Sequence, residues 1–457
     1  MTTFSTLNPA TNQALATYEF MSKEQVLKIA QQVHKAQQEW KHLSLKERSP
    51  SFLKLAKALR NHQKEYATLI TQEMGKPITE ARAEVEKCAA LAEVLVEKAP
   101  LWLQEERVQA DGAEHLIIFE PLGVIFMIMP WNFPFWQVFK VALPPLMAGN
   151  GILLKHARNV TGCSVAIASA FQNAGFPTNL FRSIRVDHSL TEEIIASPHV
   201  QACSLTGSET AGAQLGALAG KYLKKTVLEL GGSDPFIVLE DADIHFTAQK
   251  AVRARFSNAG QVCISSKRFI VVKKIADAFT QKFVEFTQQL VVGNPLEEKT
   301  QIGPLVNTKA VEEMEALVQD AVKKGAKILM GGKRIPGEGA FFAPTILSNV
   351  PETSLMVCQE TFGPIAPILV VKDEAEAIAM ANNHRYGLSA SVWTKNLERG
   401  KAVARKLEVG GVFINEVVKS HPLLPLGGIK NSGFGRELGH YGIKEFVNVK
   451  SINVYSL

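Results

Sequence analysis

From Leu122 to Leu230 the chain alternates short apolar runs with stretches of helical periodicity, and few folds accommodate that pattern. Leu122 to Met129 is strand-sized and has no polar face; Gly151 to Lys155, Ala202 to Leu205 and Val227 to Leu230 are similar. Between them, Val160 to Ala174 and the segment opening near Ser208 carry helical spacing. A strand without a polar face belongs in a parallel sheet covered by helices on both sides, so this βαβα order predicts a doubly wound α/β domain. A second alternating block runs from about Phe236 to Ile414, with strands at Phe269 to Val272 and Lys327 to Met330 and helices at Ala276 to Leu290 and Lys309 to Lys324. It predicts a second α/β domain. The first hundred residues read as helices: Glu24 to Trp40, Leu45 to Glu73 and Ile78 to Glu97. His115 to Pro130 reads as two strands broken at Pro121-Leu122-Gly123. The terminal stretch Val449 to Leu457 alternates like an edge strand. Left unpaired, such an edge invites aggregation, so it is expected at a subunit interface.

Composition excludes several classes of partner. A net charge of +6 over 457 residues is small, and the densest basic run, Lys221 to Lys225, reads as a solvated turn. No nucleic-acid partner is expected. Pro144, Pro145 and Gly149 interrupt the apolar stretch Val141 to Leu154, which falls short of the roughly 20 apolar residues that span a bilayer. No membrane partner and no signal segment are expected. The five cysteines are scattered, without a C-x-x-C pair, which suits free thiols in a reducing cytoplasm. The eleven histidines show no ligand spacing, so no metal is expected.

Four sites carry candidate chemistry. Cys263 follows Asn258-Ala259-Gly260-Gln261, a loop composition that lets backbone approach a ligand. It reads either as a small buried residue or as a nucleophile, and a nucleophile would need help to become a thiolate at neutral pH. Cys88, Cys163, Cys203 and Cys358 are expected to be structural. Glu229 sits between Leu228 and Leu230, before Gly231-Gly232. A carboxylate there is costly unless paired or protonated, so Glu229 is an ion-paired strand end or a base with a raised pKa. Asn132, in Pro130-Trp131-Asn132-Phe133-Pro134, is a turn residue or an oxyanion donor. Thr206-Gly207-Ser208 opens a helix and reads as a phosphate seat or a plain N-cap. G-x-G-x-x-G is absent from this crossover.

Taken in order, these motifs resemble the NAD(P)-dependent aldehyde dehydrogenase superfamily over essentially the whole chain. The series is N-P-A-T-N from Asn8, P-W-N-F-P around Asn132, L-L-K-H-A around Lys155, T-G-S from Thr206, L-E-L-G-G-S-D-P-F around Glu229, G-Q-V-C ending at Cys263, E-T-F-G-P from Glu360 and S-G-F-G-R-E from Ser432. Within the superfamily the chain looks most like bacterial succinate-semialdehyde dehydrogenases. The resemblance implies an α/β, aldehyde dehydrogenase-like fold in three parts. A doubly wound parallel-sheet NAD(P)-binding domain would occupy 1–100 and 120–231, and an α/β catalytic domain 232–427. A small β oligomerisation element would be formed by 101–119 and 428–457, giving a homodimer or homotetramer.

The same resemblance implies that Cys263 attacks an aldehyde and that the Asn132 amide and the Cys263 N–H hold the oxyanion. Hydride then passes to nicotinamide, and Glu229 activates the water that releases the acid. Trp131, Lys155, His156, Ala157, Arg158, Gly207, Ser208, Leu230, Glu360 and Phe362 would line the cofactor, with Lys155 and Glu360 on the two riboses. Arg158 stands where strict NAD users tend to carry glutamate, which points to NADP being accepted alongside NAD. Succinic semialdehyde is the expected substrate; glutaric semialdehyde, an aliphatic aldehyde, or redox-silent hydrolase or acyltransferase chemistry are the alternatives. Lys140, where an arginine is usual, and Ser420 would bind the substrate's distal carboxylate. Ser265 stands where some relatives have a second cysteine, so no disulfide switch at Cys263 is expected.

Overall fold

Lys225–Glu229 is the outermost of the parallel strands in one sheet, and after residues 230–233 the next strand, Asp234–Val238, enters another. The computed structural model describes residues 2–111 and 114–455. The first sheet runs in the order Gly433–Phe434, Lys225–Glu229, Val200–Thr206, Val124–Met129, Gly151–His156, Phe181–Ile184, and only the first pair is antiparallel. Alternate residues of its central strand serve two different cores. Ile125 and Met127 join Phe135, Phe139 and Leu154 on one face, whereas Val124 and Phe126 join Leu153, Cys203 and Leu205 on the other. That double burial is why the strand shows no polar face in the sequence.

Chain order in this sheet proceeds outward from Val124–Met129 to Phe181–Ile184, then returns to the far side of Val124–Met129 with Val200–Thr206. Loops leaving the carboxyl ends of these two adjacent strands diverge, and such a reversal opens a crevice where ligands bind in doubly wound sheets. The second sheet has the order Lys327–Met330, Thr345–Ser348, Ile365–Val371, Ser266–Val272, Asp234–Val238, Ser389–Trp393, Gly411–Ile414 and is parallel except for its first pair. Its central strand, Ser266–Val272, is buried throughout.

Several expectations need correction. Leu45 to Glu73 is two helices, Leu45–Asn61 and Gln63–Met74, broken at His62; one apolar face persists because Phe52, Leu55, Tyr66 and Ile70 enter the same core. A short hairpin, Thr3–Leu7 with Ala14–Glu19, precedes the helices. Lys327–Met330 runs antiparallel to its neighbour. The terminal strand is Val447–Val454, paired along its length with Glu114–Pro121, which in turn pairs with Glu106–Val108. Val449, Ile452, Val454 and Tyr455 are exposed there. Ser456 and Leu457 of the expected strand, and Gly112 and Ala113 of the expected 101–119 segment, lie outside the described residues. Among the described residues, no helix is long and apolar enough to cross a membrane.

Candidate active site

Residues at the carboxyl ends of the first sheet's strands meet the loop that enters Ser266–Val272 of the second. Trp131 and Asn132 follow Val124–Met129, Ala157 and Arg158 follow Gly151–His156, Gly207 and Ser208 follow Val200–Thr206, and Glu229 ends its own strand. Hydrogen bonds bridge the two sides. Asn132 Nδ2 donates to the Gln261 carbonyl at 3.0 Å, and Asn258 Nδ2 donates to the Asn132 carbonyl at 3.0 Å.

The Cys263 loop is strained and tightly framed. Asn258, Ala259 and Gly260 have φ of 50°, 53° and 74°, three left-handed residues in succession. Each such residue with a side chain costs roughly 1–2 kcal/mol, and strain of this kind persists only where surroundings enforce it. A Cβ on Gly260 would collide with the Gly363 carbonyl. The Asn258 N–H donates to Glu80 at 2.9 Å, Gln261 Nε2 donates to the Asn258 carbonyl at 3.2 Å, and Gln261 Oε1 accepts from Val306 N–H at 2.9 Å. Lys267, fully buried, donates to the carbonyls of Val262 at 3.0 Å and Cys263 at 2.5 Å. Cys263 itself is half-buried. Burial pushes its thiol up to about 11 while Lys140 and Lys267 pull the other way, so the resting group is protonated at neutral pH. Asn132 carries two amide hydrogens and uses one on Gln261, which leaves the other able to donate to a ligand.

Glu229 is 4 % exposed, and its Oε1 has no hydrogen-bond partner among the described residues. Burial raises its pKa well above the usual carboxylate range; Glu437 adds to this, while Lys140 and Arg436 oppose it. Backbone approaches closely because position 427 is glycine: a Cβ there would lie 2.7 Å from Glu229 Oε1. These features suit a base working near neutrality.

The residues expected at the cofactor supply cations, a carboxylate oxygen and aromatic walls of the kind a dinucleotide needs. Lys155 is partly buried, its pKa lowered by burial and then by Arg158; among the described residues neither cation has a carboxylate partner. Glu360 takes both the Gly232 N–H and Lys267 on Oε1, at 3.3 Å each, which leaves Oε2 to accept from a ligand. Trp131 and Phe362 meet edge-on at 5.7 Å. Ser208 caps the helix Glu209–Lys221 by accepting from Ala211 N–H, Gly207 donates to the Glu229 carbonyl, and Leu230 is buried with its N–H on Ser432. Ala157 donates to the Met129 carbonyl. His156 is held by the protein itself. It is buried, Nδ1 accepts from Ala157 N–H at 2.9 Å, and Nε2 lies 2.9 Å from the Pro134 carbonyl. Burial holds its pKa down at about 4. A neutral ring bonded in this way supports the Asn132 loop.

Lys140 and Ser420 are both at the site, in unexpected company. Lys140 is 3 % exposed and ion-paired with equally buried Glu437. Burial works against its charge, but Glu437, with Cys263 and Glu229 behind it, holds its pKa above the usual lysine value. Ser420 Oγ accepts from Lys87 at 2.5 Å and from Trp136 Nε1 at 3.1 Å. Lys87, Lys267, Glu437 and the framing contacts of Asn258 and Gln261 were not assigned from the sequence; the S-G-F-G-R-E motif, which ends at Glu437, and the loop from Asn258 to Gln261 were the signals for two of them. Cys88, Cys163 and Cys203 are buried as expected, but Cys358 is exposed.

A thiol, an amide and a buried carboxylate gathered at the carboxyl ends of a doubly wound sheet suit a dehydrogenase that works through a thioester. The sequence profile of the aldehyde dehydrogenase family matches residues 1–452, and the chain belongs to that family. It is 46 % identical to a probable NADP-dependent succinate-semialdehyde dehydrogenase of Synechocystis sp., over 98 % of this chain and 99 % of the relative. Identity to the NAD(P)-dependent succinate semialdehyde dehydrogenase Sad of Escherichia coli is 41 %, covering 98 % of this chain and 96 % of the relative. Among solved structures, the NADP complex of succinic semialdehyde dehydrogenase from Streptococcus pyogenes superposes with a TM-score of 0.97 at 36 % identity, covering 99 % of this chain and 100 % of the other.

Proposed function

We propose that this enzyme oxidises succinic semialdehyde to succinate and accepts NADP alongside NAD. The reading is carried by the convergence of Cys263, Asn132 and Glu229 where the two sheets meet. Similarity to relatives named for this substrate supports it, from 46 % to 39 % identity. Cys263 gives up its thiol proton to solvent, the thiolate attacks the aldehyde carbon, and the new oxyanion accepts from Asn132 Nδ2 and the Cys263 N–H. One such donor is worth about a hundred- to a thousandfold in rate. Bound nicotinamide supplies the hydride acceptor. Glu229 then takes a proton from water, the hydroxide attacks the thioester carbonyl, and the Cys263 thiolate leaves as the acid is released. Lys140 and Glu437 set the charge around Glu229.

Lys155 and Glu360 hold the riboses, Arg158 pairs with a 2′-phosphate, and Trp131, Ala157, Gly207, Ser208, Leu230 and Phe362 line the cofactor. We also assign residues 1–100 and 120–231 to cofactor binding, 232–427 to catalysis, and 101–119 with 428–457 to a homodimer or homotetramer interface. Free-thiol catalysis suits a cytoplasmic setting. The test is a steady-state matrix of aldehydes against both cofactors. Succinic semialdehyde should exceed propanal, and Arg158→Gln should weaken NADP selectively. Equal efficiency on propanal would remove carboxylate selection, and an NAD preference above about tenfold would remove the NADP assignment. Turnover without cofactor reduction would favour a thiol hydrolase.

A further inference from the structure

We infer that Lys87, with Ser420, anchors the distal carboxylate of the substrate, the part that the sequence pattern gives to Lys140. The inference rests on the proposed semialdehyde substrate. Lys87 projects from the helix Ile78–Trp102 and is half-buried. Its Nζ lies 4.2 Å from the Trp136 ring centroid and donates to Ser420 Oγ. An ammonium has three donors, and among the described residues Lys87 has no carboxylate partner. Burial brings its pKa down to about 8. A desolvated cation without a counter-charge is costly, and an arriving carboxylate relieves that cost. Ser420 accepts from both Lys87 and Trp136, which leaves its own hydroxyl proton to donate to the same anion.

Lys140 is differently placed. Its charge is already matched by Glu437, both side chains being 3 % exposed. A substrate carboxylate there would have to displace a buried ion pair or sit beside a second carboxylate. The two lysines nonetheless border one region: Lys140 acts electrostatically on Lys87, and Cys263 and Glu229 act on Lys140. Lys87 therefore offers a cation that no carboxylate holds among the described residues, bordering the region of Lys140 without competition from Glu437.

The experiment compares wild type, Lys87→Met, Lys87→Gln and Lys87→Arg on succinic semialdehyde and on butanal, with succinate as a product inhibitor and thermal unfolding as a fold control. Removing the ammonium should lower kcat/KM for the semialdehyde by roughly 30- to 300-fold, mostly through KM. Butanal kinetics should stay near wild type, succinate inhibition should weaken in parallel, and Lys87→Arg should recover part of the loss. A loss shared equally by both aldehydes would make Lys87 a structural residue and overturn the inference. If wild type prefers the semialdehyde and both neutral variants keep that preference, the inference fails while the substrate assignment stands. If wild type shows no preference, the substrate assignment fails and takes the inference with it. Lys87→Gln must give the same split as Lys87→Met, and it decides the matter should Lys87→Met not fold.

Discussion

Glu84 governs the loop that presents Asn132, although it lies on a different helix. Its carboxylate is 4 % exposed; Oε1 accepts from the N–H groups of Phe135 at 2.8 Å and Trp136 at 3.0 Å, and Oε2 pairs with fully buried Lys76. Phe133 provides no side-chain cap for the helix Pro134–Ala148, and Pro134 has no N–H, so Phe135 and Trp136 carry the first amides that need an acceptor. Glu84 supplies it from outside the helix. Replacing Glu84 by Leu leaves an uncompensated ammonium and two unpaired amides in the interior. Breaking a buried pair in this way costs about 3–5 kcal/mol, a large share of the stability of a typical domain. Displacing Asn132 by about 1 Å should also lower kcat/KM by around a hundredfold. The assay is equilibrium urea denaturation of Glu84→Leu, Lys76→Met and the double variant. Removing both charges leaves no orphaned ion, so the double variant should be less destabilised than the sum of the singles by about 2 kcal/mol or more. Additive singles, or a Glu84→Leu loss under about 1 kcal/mol, would refute the reasoning.

Two further predictions concern protons. Folded Glu229 holds its proton above the usual 4.5, so unfolding releases a carboxyl that ionises readily; the native state therefore loses stability as pH rises above about 4.5. Glu229→Gln removes that penalty, and its stability relative to wild type should grow as pH rises above about 4.5, by at most about 1.4 kcal/mol per pH unit; a pH-independent difference would contradict this. With its thiol near 11, Cys263 in the cofactor-free enzyme should be alkylated by iodoacetamide at a rate rising almost tenfold per unit from pH 7 to 9, and a plateau below pH 8 would show a thiolate already formed.

Much of the architecture was legible because burial leaves a mark on composition. Val124 to Met129 had to be a doubly covered strand, and Glu229 stood out as a charge among leucines. What stayed hidden depends on residues distant in sequence meeting in space. Lys140 looked like a free cation because nothing near it in the chain announces Glu437. Lys87 looked like one more polar helix position, since its neighbours Trp136 and Ser420 come from other segments. His156 sits beside Lys155 in a motif, yet strand alternation turns their side chains to opposite faces, so the two meet different surroundings. The hairpin Thr3–Leu7 with Ala14–Glu19 escaped notice because short, half-exposed strands lack a strong apolar pattern.

Thioester formation at Cys263 and its release by Glu229 can be tested in one measurement. Glu229→Gln would be mixed with succinic semialdehyde and NADP, quenched, and examined by intact mass and peptide mapping alongside the absorbance of reduced cofactor. The predicted result is a rapid burst of reduced cofactor close to one equivalent per chain, slow turnover afterwards, and a succinyl group accumulated on Cys263. Wild-type turnover with no adduct, or an adduct on any other residue, would contradict the proposed roles of both side chains.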